Sequence, residues 1–241
     1  MNQLKALNLK KKYGQKSVVE NVTIEVNSGE IVTLLGPNGA GKTTSFYMIV
    51  GITDVTEGHI FLNDTEITDL PIHKRARLGM GYLPQNSSIF RKMTVEDNLL
   101  AIMEICHTEK NQQKPLLEKL LEDFGLDAIR KSYGVSLSGG ERRRVEIART
   151  LILSPKFLLL DEPFAGIDPV TVIEIQDLIR KMVRDQNVGV LITDHNVRET
   201  LTLSDRSYVL YDGKIIASGN QNEIIQNKKV KEIYLGENFT I

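Results

Sequence analysis

The segment Gly36-Pro37-Asn38-Gly39-Ala40-Gly41-Lys42-Thr43-Thr44 restricts what this chain can fold into more than any other stretch. An unbroken apolar run, Ile31-Val32-Thr33-Leu34-Leu35, leads into it, as expected of a parallel strand buried on both faces. Glycines then let the backbone turn several N–H groups inward, and a helix beginning near Gly41 would aim its positive end at the same point. That is a cradle for phosphate. Lys42 would reach the β- and γ-phosphates of a nucleoside triphosphate, and the Thr43 hydroxyl would ligate Mg²⁺. A glycine-rich turn with no ligand would not need the full GxxxxGKT spacing between a strand and a helix.

A second apolar run, Phe157-Leu158-Leu159-Leu160, ends in Asp161-Glu162. In an α/β sheet the carboxyl ends of the strands are where ligands sit. Asp161 would hold Mg²⁺ through its water shell, and Glu162 would polarise the attacking water. Two acids after a strand could instead begin a helix, since acids favour that place. The phosphate loop upstream favours the catalytic reading.

The rest of the chain fits an α/β fold. Its 241 residues suit one large domain, or a core with a subdomain. With 41% hydrophobic and 25% charged residues it can bury a core. A net charge of −1 gives no reason to expect nucleic acid. Lys10-Lys11-Lys12 and Arg142-Arg143-Arg144 read as solvated faces. The single cysteine, Cys106, excludes an internal disulfide, fits a reducing cytosol and reads as a small core side chain. No apolar stretch reaches ~20 residues, so membrane work would depend on other chains.

Alternation places strands in residues 1–30, with Leu4, Leu7, Leu9 and Val22, Ile24, Val26 facing inward, and another strand at 58–63. From about 92 to 152 the period becomes helical. Leu116, Leu117, Leu120, Leu121 and Phe124 form one apolar face, and Val145, Ala148, Leu151 and Ile152 another. Helix then strand follows again, through Val172–Met182 and Val188–Ile192. Leu137-Ser138-Gly139-Gly140-Glu141 opens the second amphipathic helix, so its N–H groups form a second anion site, or Ser138 simply caps the helix.

Together the phosphate loop, Asp161-Glu162 and the Ser138-Gly139-Gly140 stretch resemble the ATP-binding cassette family over essentially the whole chain. The resemblance implies one nucleotide-binding domain over 1–241. It would have a RecA-like phosphate-loop core, an N-terminal antiparallel β subdomain and an inserted helical subdomain at about 92–152. It also implies roles. Tyr13 would stack on adenine. Gln85 would contact Mg²⁺ and the attacking water. Asp168 would cross a dimer interface, and His195 would hydrogen-bond the γ-phosphate. His59, His73 and His107 have no such context. Glu141 stands where the family more often has glutamine.

In the family two copies pair head to tail, each Ser138-Gly139-Gly140 closing over ATP held by the other copy, and the cycle drives transmembrane permease subunits. The chain would then lie on the cytoplasmic side of the inner membrane, held there only by its partners. Phe90 and Arg91 fall in the segment that receives a helix of the permease; a core role for Phe90 is the alternative. Segments such as 81–100 and 194–201 resemble the ATPases of lipopolysaccharide exporters. Those of branched-chain amino-acid importers are the alternative. A cassette ATPase outside transport, or another phosphate-loop enzyme, fits less well: the chain has one cassette, no coiled-coil insertion, and both the Ser138 stretch and His195.

Overall fold

A computed structural model describes residues 2–237 and Phe239. Its N-terminal part is an antiparallel sheet of β1 (Gln3–Tyr13), β2 (Lys16–Asn27), β4 (Glu57–Leu62) and β5 (Thr65–Glu66), in the order β2-β1-β4-β5. The inward set in β1 differs from simple alternation: Leu4, Ala6 and Leu9 are buried and Leu7 is not. A bulge is the reason. Asn8 takes a left-handed φ of 51°, and the pairing with β2 slips between Ala6 and Leu9, which flips the inward parity.

The central sheet holds β3 (Ile31–Leu35), β6 (Met80–Leu83), β7 (Phe157–Asp161), β8 (Gly189–Thr193), β9 (Arg206–Tyr211) and β10 (Lys214–Gly219). Their order is β10-β9-β3-β8-β7-β6, with β3, β6, β7, β8 and β9 parallel and β10 antiparallel at the edge. The inner strands β3, β7 and β8 read as apolar runs because both their faces are covered. Leu158, Leu160, Val190 and Ile192 face a core shared with helices. Phe157, Leu159, Leu191, Val32 and Leu34 face the antiparallel sheet and α1 (Lys42–Val50). A short α2 (Ile72–Arg77) precedes β6.

Between β6 and β7 come α3 (Val95–Ile105), α4 (Lys110–Asp123) and α5 (Gly139–Leu151). Their starts follow local chemistry. Thr94 with Asp97, and Ser138 with Glu141, form reciprocal capping boxes at α3 and α5. Leu117, Leu120, Leu121 and Phe124 bury the apolar face of α4, and Gly125, at φ 59°, follows its end. Then α6 (Pro169–Gln186) is capped by Asp168 with Pro169 in its first turn, and α7 (Val197–Leu203) follows β8. Beyond β10, α8 (Gln221–Gln226), α9 (Lys228–Val230) and a π turn at Lys231–Leu235 pack by β9 on a third apolar cluster that includes Leu201, Val209 and Ile224. Among the described residues no helix is long and apolar enough to cross a membrane.

Candidate active site

The carboxyl ends of β3, β6, β7 and β8 open on one edge of the sheet, and the loops that leave them carry the chemistry. After β3 the chain turns through Gly36–Gly41 into α1. Gly41 stands at the helix N-cap with φ 99°, and a Cβ there would lie 2.8 Å from the Val18 carbonyl, so only glycine fits. No side chain caps this helix start, which leaves its first N–H groups to an anion. Lys42 is buried, and its Nζ donates to the Gly36 carbonyl at 2.6 Å and the Pro37 carbonyl at 2.9 Å. Burial pulls its pKa down, partly countered by the charge of Glu162. Thr43 is exposed on the first turn.

Backbone bonds tie this loop to its neighbours. Gly213 donates to the Ala40 carbonyl at 3.0 Å, and Glu20 donates to the Gly213 carbonyl at 2.7 Å. Glu20 lies on β2, just past the hairpin that carries Tyr13. The Tyr13 ring is 54% exposed, with the Lys11 ammonium 5.3 Å from its centroid. A large aromatic is thus left open at the end of the hairpin whose second strand is tied to the phosphate loop.

Asp161 is buried at the end of β7, and its Oδ2 has no hydrogen-bond partner among the described residues. Burial pushes this carboxyl above its ordinary value, the Tyr47 phenol draws it back down, and the charge of Glu162 adds to the rise. A desolvated carboxylate oxygen with no donor is the environment a cation satisfies. The Asp161 carboxylate therefore fits a cation such as Mg²⁺.

Glu162 sits between two partners from neighbouring strands. Gln85, after β6, donates from Nε2 to Glu162 Oε2 at 2.6 Å. His195, after β8, places Nε2 2.6 Å from Glu162 Oε1. The structure thus brings Gln85, Glu162 and His195 into one cluster beside Asp161 and Lys42.

The remaining predicted residues lie elsewhere. Ser138, Gly139 and Gly140 start α5 against the Asp168 turn: Gly140 packs on Thr171, and Asp168 Oδ1 accepts from Thr171 N at 3.0 Å. Among the described residues no hydrogen bond joins Ser138–Gly140 to Gly36–Thr44. Phe90 and Arg91 lie on the loop before α3, both exposed, while the adjacent Ile89 is buried. The Phe90 ring lies 4.4 Å from the Arg149 guanidinium and is not in the core.

The reading of the arginine run as a solvated face is corrected. Arg143 is not solvated; it is 6% exposed, while Arg142 and Arg144 on either side are half-buried. Three arginines in a row on a helix cannot share a face, since successive residues turn by about 100°. Cys106 is only partly buried at the end of α3. Sequence reasoning also missed Tyr47 and Asp194. Asp194 Oδ2 accepts from Phe164 N at 3.0 Å and Oδ1 from Asn196 N at 2.9 Å, which braces the turns after β7 and β8. Its place before His195 was the available signal.

Comparison with known proteins agrees with this geometry. A family model described as ABC transporter matches residues 19–165. The lipopolysaccharide export system ATP-binding protein LptB of Escherichia coli (strain K12) is 54% identical over 242 residues, covering 100% of both chains. LptB of Acidithiobacillus ferridurans is 54% identical over 238 residues, 99% of this chain and 98% of that one. Among solved structures, an ATP-binding cassette of an ABC transporter in its ADP conformation matches with a TM-score of 0.85 at 31% identity, covering 98% of this chain and 100% of that chain. The chain belongs to the ABC transporter family, as one of its ATP-hydrolysing subunits.

Proposed function

We propose that this chain is the motor of a lipopolysaccharide exporter, working as a head-to-tail homodimer on membrane-spanning partners at the cytoplasmic face of the inner membrane. The observation that carries the cargo is full-length identity of 54% to LptB. The observation that carries the chemistry is Glu162 held between Gln85 and His195 at the mouth of the phosphate loop.

In this reading the adenine of ATP stacks on Tyr13, and the triphosphate lies in the loop of Gly36, Pro37, Asn38, Gly39, Ala40, Gly41, Lys42, Thr43 and Thr44, held by the N–H groups of every one of these except Pro37, which has none. Lys42 exchanges the Gly36 and Pro37 carbonyls for phosphate oxygens. Asp161, Thr43 and Gln85 would hold Mg²⁺, directly or through water, and it would supply positive charge against the triphosphate. Glu162 orients a water and takes its proton as the water oxygen bonds to the γ-phosphorus. The bond to the β-bridging oxygen breaks, and ADP leaves with that oxygen. His195 holds the γ-phosphate in line. Ser138, Gly139 and Gly140 of a second copy cover the same phosphate, and Asp168 lies at the seam between copies. Phe90 and Arg91 seat a helix of the membrane partner.

Depletion of the chain in living cells tests the assignment. Lipopolysaccharide should stop reaching the outer membrane and accumulate in the inner one, while branched-chain amino-acid uptake continues. Normal lipopolysaccharide delivery with loss of amino-acid uptake would replace the exporter by an importer.

A further inference from the structure

A buried ion pair on α5 makes contacts that the family motifs do not account for. Arg143 and Glu146 lie three positions apart on one helix face, 6% and 3% exposed, with Nη1 of Arg143 3.3 Å from Glu146 Oε2. Arg143 spends every donor. Nε donates to the Pro163 carbonyl at 3.2 Å, and Nη1 donates to the Pro84 carbonyl at 3.0 Å as well as to Glu146. Nη2 donates to the carbonyls of Asp161 at 3.1 Å and Glu162 at 3.2 Å. A guanidinium has five N–H bonds, and all five are used here. Four of the acceptors are backbone carbonyls at or next to Gln85 and Glu162.

Glu146 holds the other side. Its Oε1 accepts from Ser87 Oγ at 2.7 Å, Ser88 N at 2.8 Å and Ile89 N at 3.3 Å. That fixes the loop running from Gln85 to Phe90. Arg149, one turn further along α5, donates to the Ser88 carbonyl at 2.6 Å and stacks on Phe90. Asn98 completes the grip by pairing with both N and O of Phe90.

We propose that Arg143 and Glu146 are positioning residues for hydrolysis, fixing the backbone under Glu162 and the loop after Gln85 to the helix that begins at Ser138. The Gln85–Glu162 contact and the Ser138–Gly140 stretch then shift as one body when α5 moves. A partner helix pressing on Phe90 acts on the same body. This inference rests on Glu162 being the residue that activates water.

The test uses the full-length chain with Mg-ATP. Removing one partner strands a buried charge, whereas replacing a whole buried pair by apolar residues of similar size is often tolerated. The informative variant is therefore the double substitution Arg143→Met with Glu146→Met. It should melt below the wild-type temperature, because the carbonyls that Arg143 served lose their donor, but should still fold and bind ATP. It should hydrolyse ATP about 10²-fold more slowly, the order expected when a reacting group is displaced by ~1 Å. KM should stay within about threefold, because the phosphate loop is untouched. Arg143→Lys, which can reach at most three of the five acceptors, should show a smaller fall in kcat in the same direction. A double variant with wild-type kcat overturns the proposal, and so does one that loses stability and ATP binding together, since the pair would then serve the fold alone. Glu162→Gln, run alongside, separates this from the parent reading: if that variant keeps wild-type hydrolysis, the role of Glu162 fails first.

Discussion

Glu162 holds a left-handed backbone conformation, φ 47°, that residues with a Cβ rarely take. Its N–H donates to the Thr193 carbonyl at 2.7 Å, so the neighbouring strand keeps it there. Such strain gathers where geometry matters to function. Glu162→Gln keeps the shape and should slow hydrolysis by roughly 10²–10⁴-fold, because the water loses its base. ATP binding should persist, and the closed dimer should build up on size measurement with Mg-ATP. Wild-type turnover would remove Glu162 from the mechanism. Arg75 gives a different kind of forecast. It is buried, and donates to the carbonyls of Met48 at 2.8 Å and Ile49 at 2.6 Å at the end of α1, and to those of Thr68 and Leu70. Burial pulls its guanidinium down to about 10. Arg75→Ala orphans these oxygens, at ~1–3 kcal/mol for each one left dry. Urea unfolding should show a loss of at least that size. The two residues differ in how they can be read. Glu162 follows an apolar strand and one acid at a spacing set by phosphate chemistry. Arg75 and Arg143 owe their roles to carbonyls far away in the chain, and no local pattern announces those.

At the scale of elements, β3, β7 and β8 were plain in sequence because burial on both faces leaves them as apolar runs, whereas β6, β9 and β10, which mix polar and apolar residues, were not. Nor was the β1 bulge. It turns on one asparagine, Asn8, whose left-handed φ changes which side chains face in. The contact between α5 and α6 was equally hidden. A Cβ on Gly140 would land on the Thr171 side chain, beside the Asp168 cap. Gly140→Val should therefore push the start of α5 away from the Asp168 turn. ATP binding by one chain should survive, since its phosphate loop lies apart, while hydrolysis is lost; weakened binding to the monomer would refute this division. The Phe90 loop allows a second element-level forecast. A core phenylalanine cut to alanine costs ~3–5 kcal/mol. Phe90 is 37% exposed and covered on one side by Arg149, so Phe90→Ala should lower the melting temperature only slightly. It should still lose the membrane partner on co-purification. A large drop in melting temperature in the isolated chain would return Phe90 to the core.

The whole molecule carries two glycine-rich helix starts that no hydrogen bond joins among the described residues. One follows Gly41, the other follows Ser138, and the second lies against the Asp168 turn instead of the phosphate loop. The resemblance to the family already implied this separation; the packing of Gly140 on Thr171 beside the Asp168 cap was not legible in sequence. A site needing both pieces must draw them from two copies, and a symmetric pair makes two such sites. Lys42→Ala should weaken ATP binding by removing the buried cation of the loop. Ser138→Arg should leave single-chain binding intact and block closure by filling the space meant for the other copy's phosphate. The mixed dimer decides between arrangements. If sites form between copies, one site carries both defects and the other carries neither, so nucleotide trapping should recover half of the wild-type amount. If each site were built within one chain, both would be damaged and trapping would vanish.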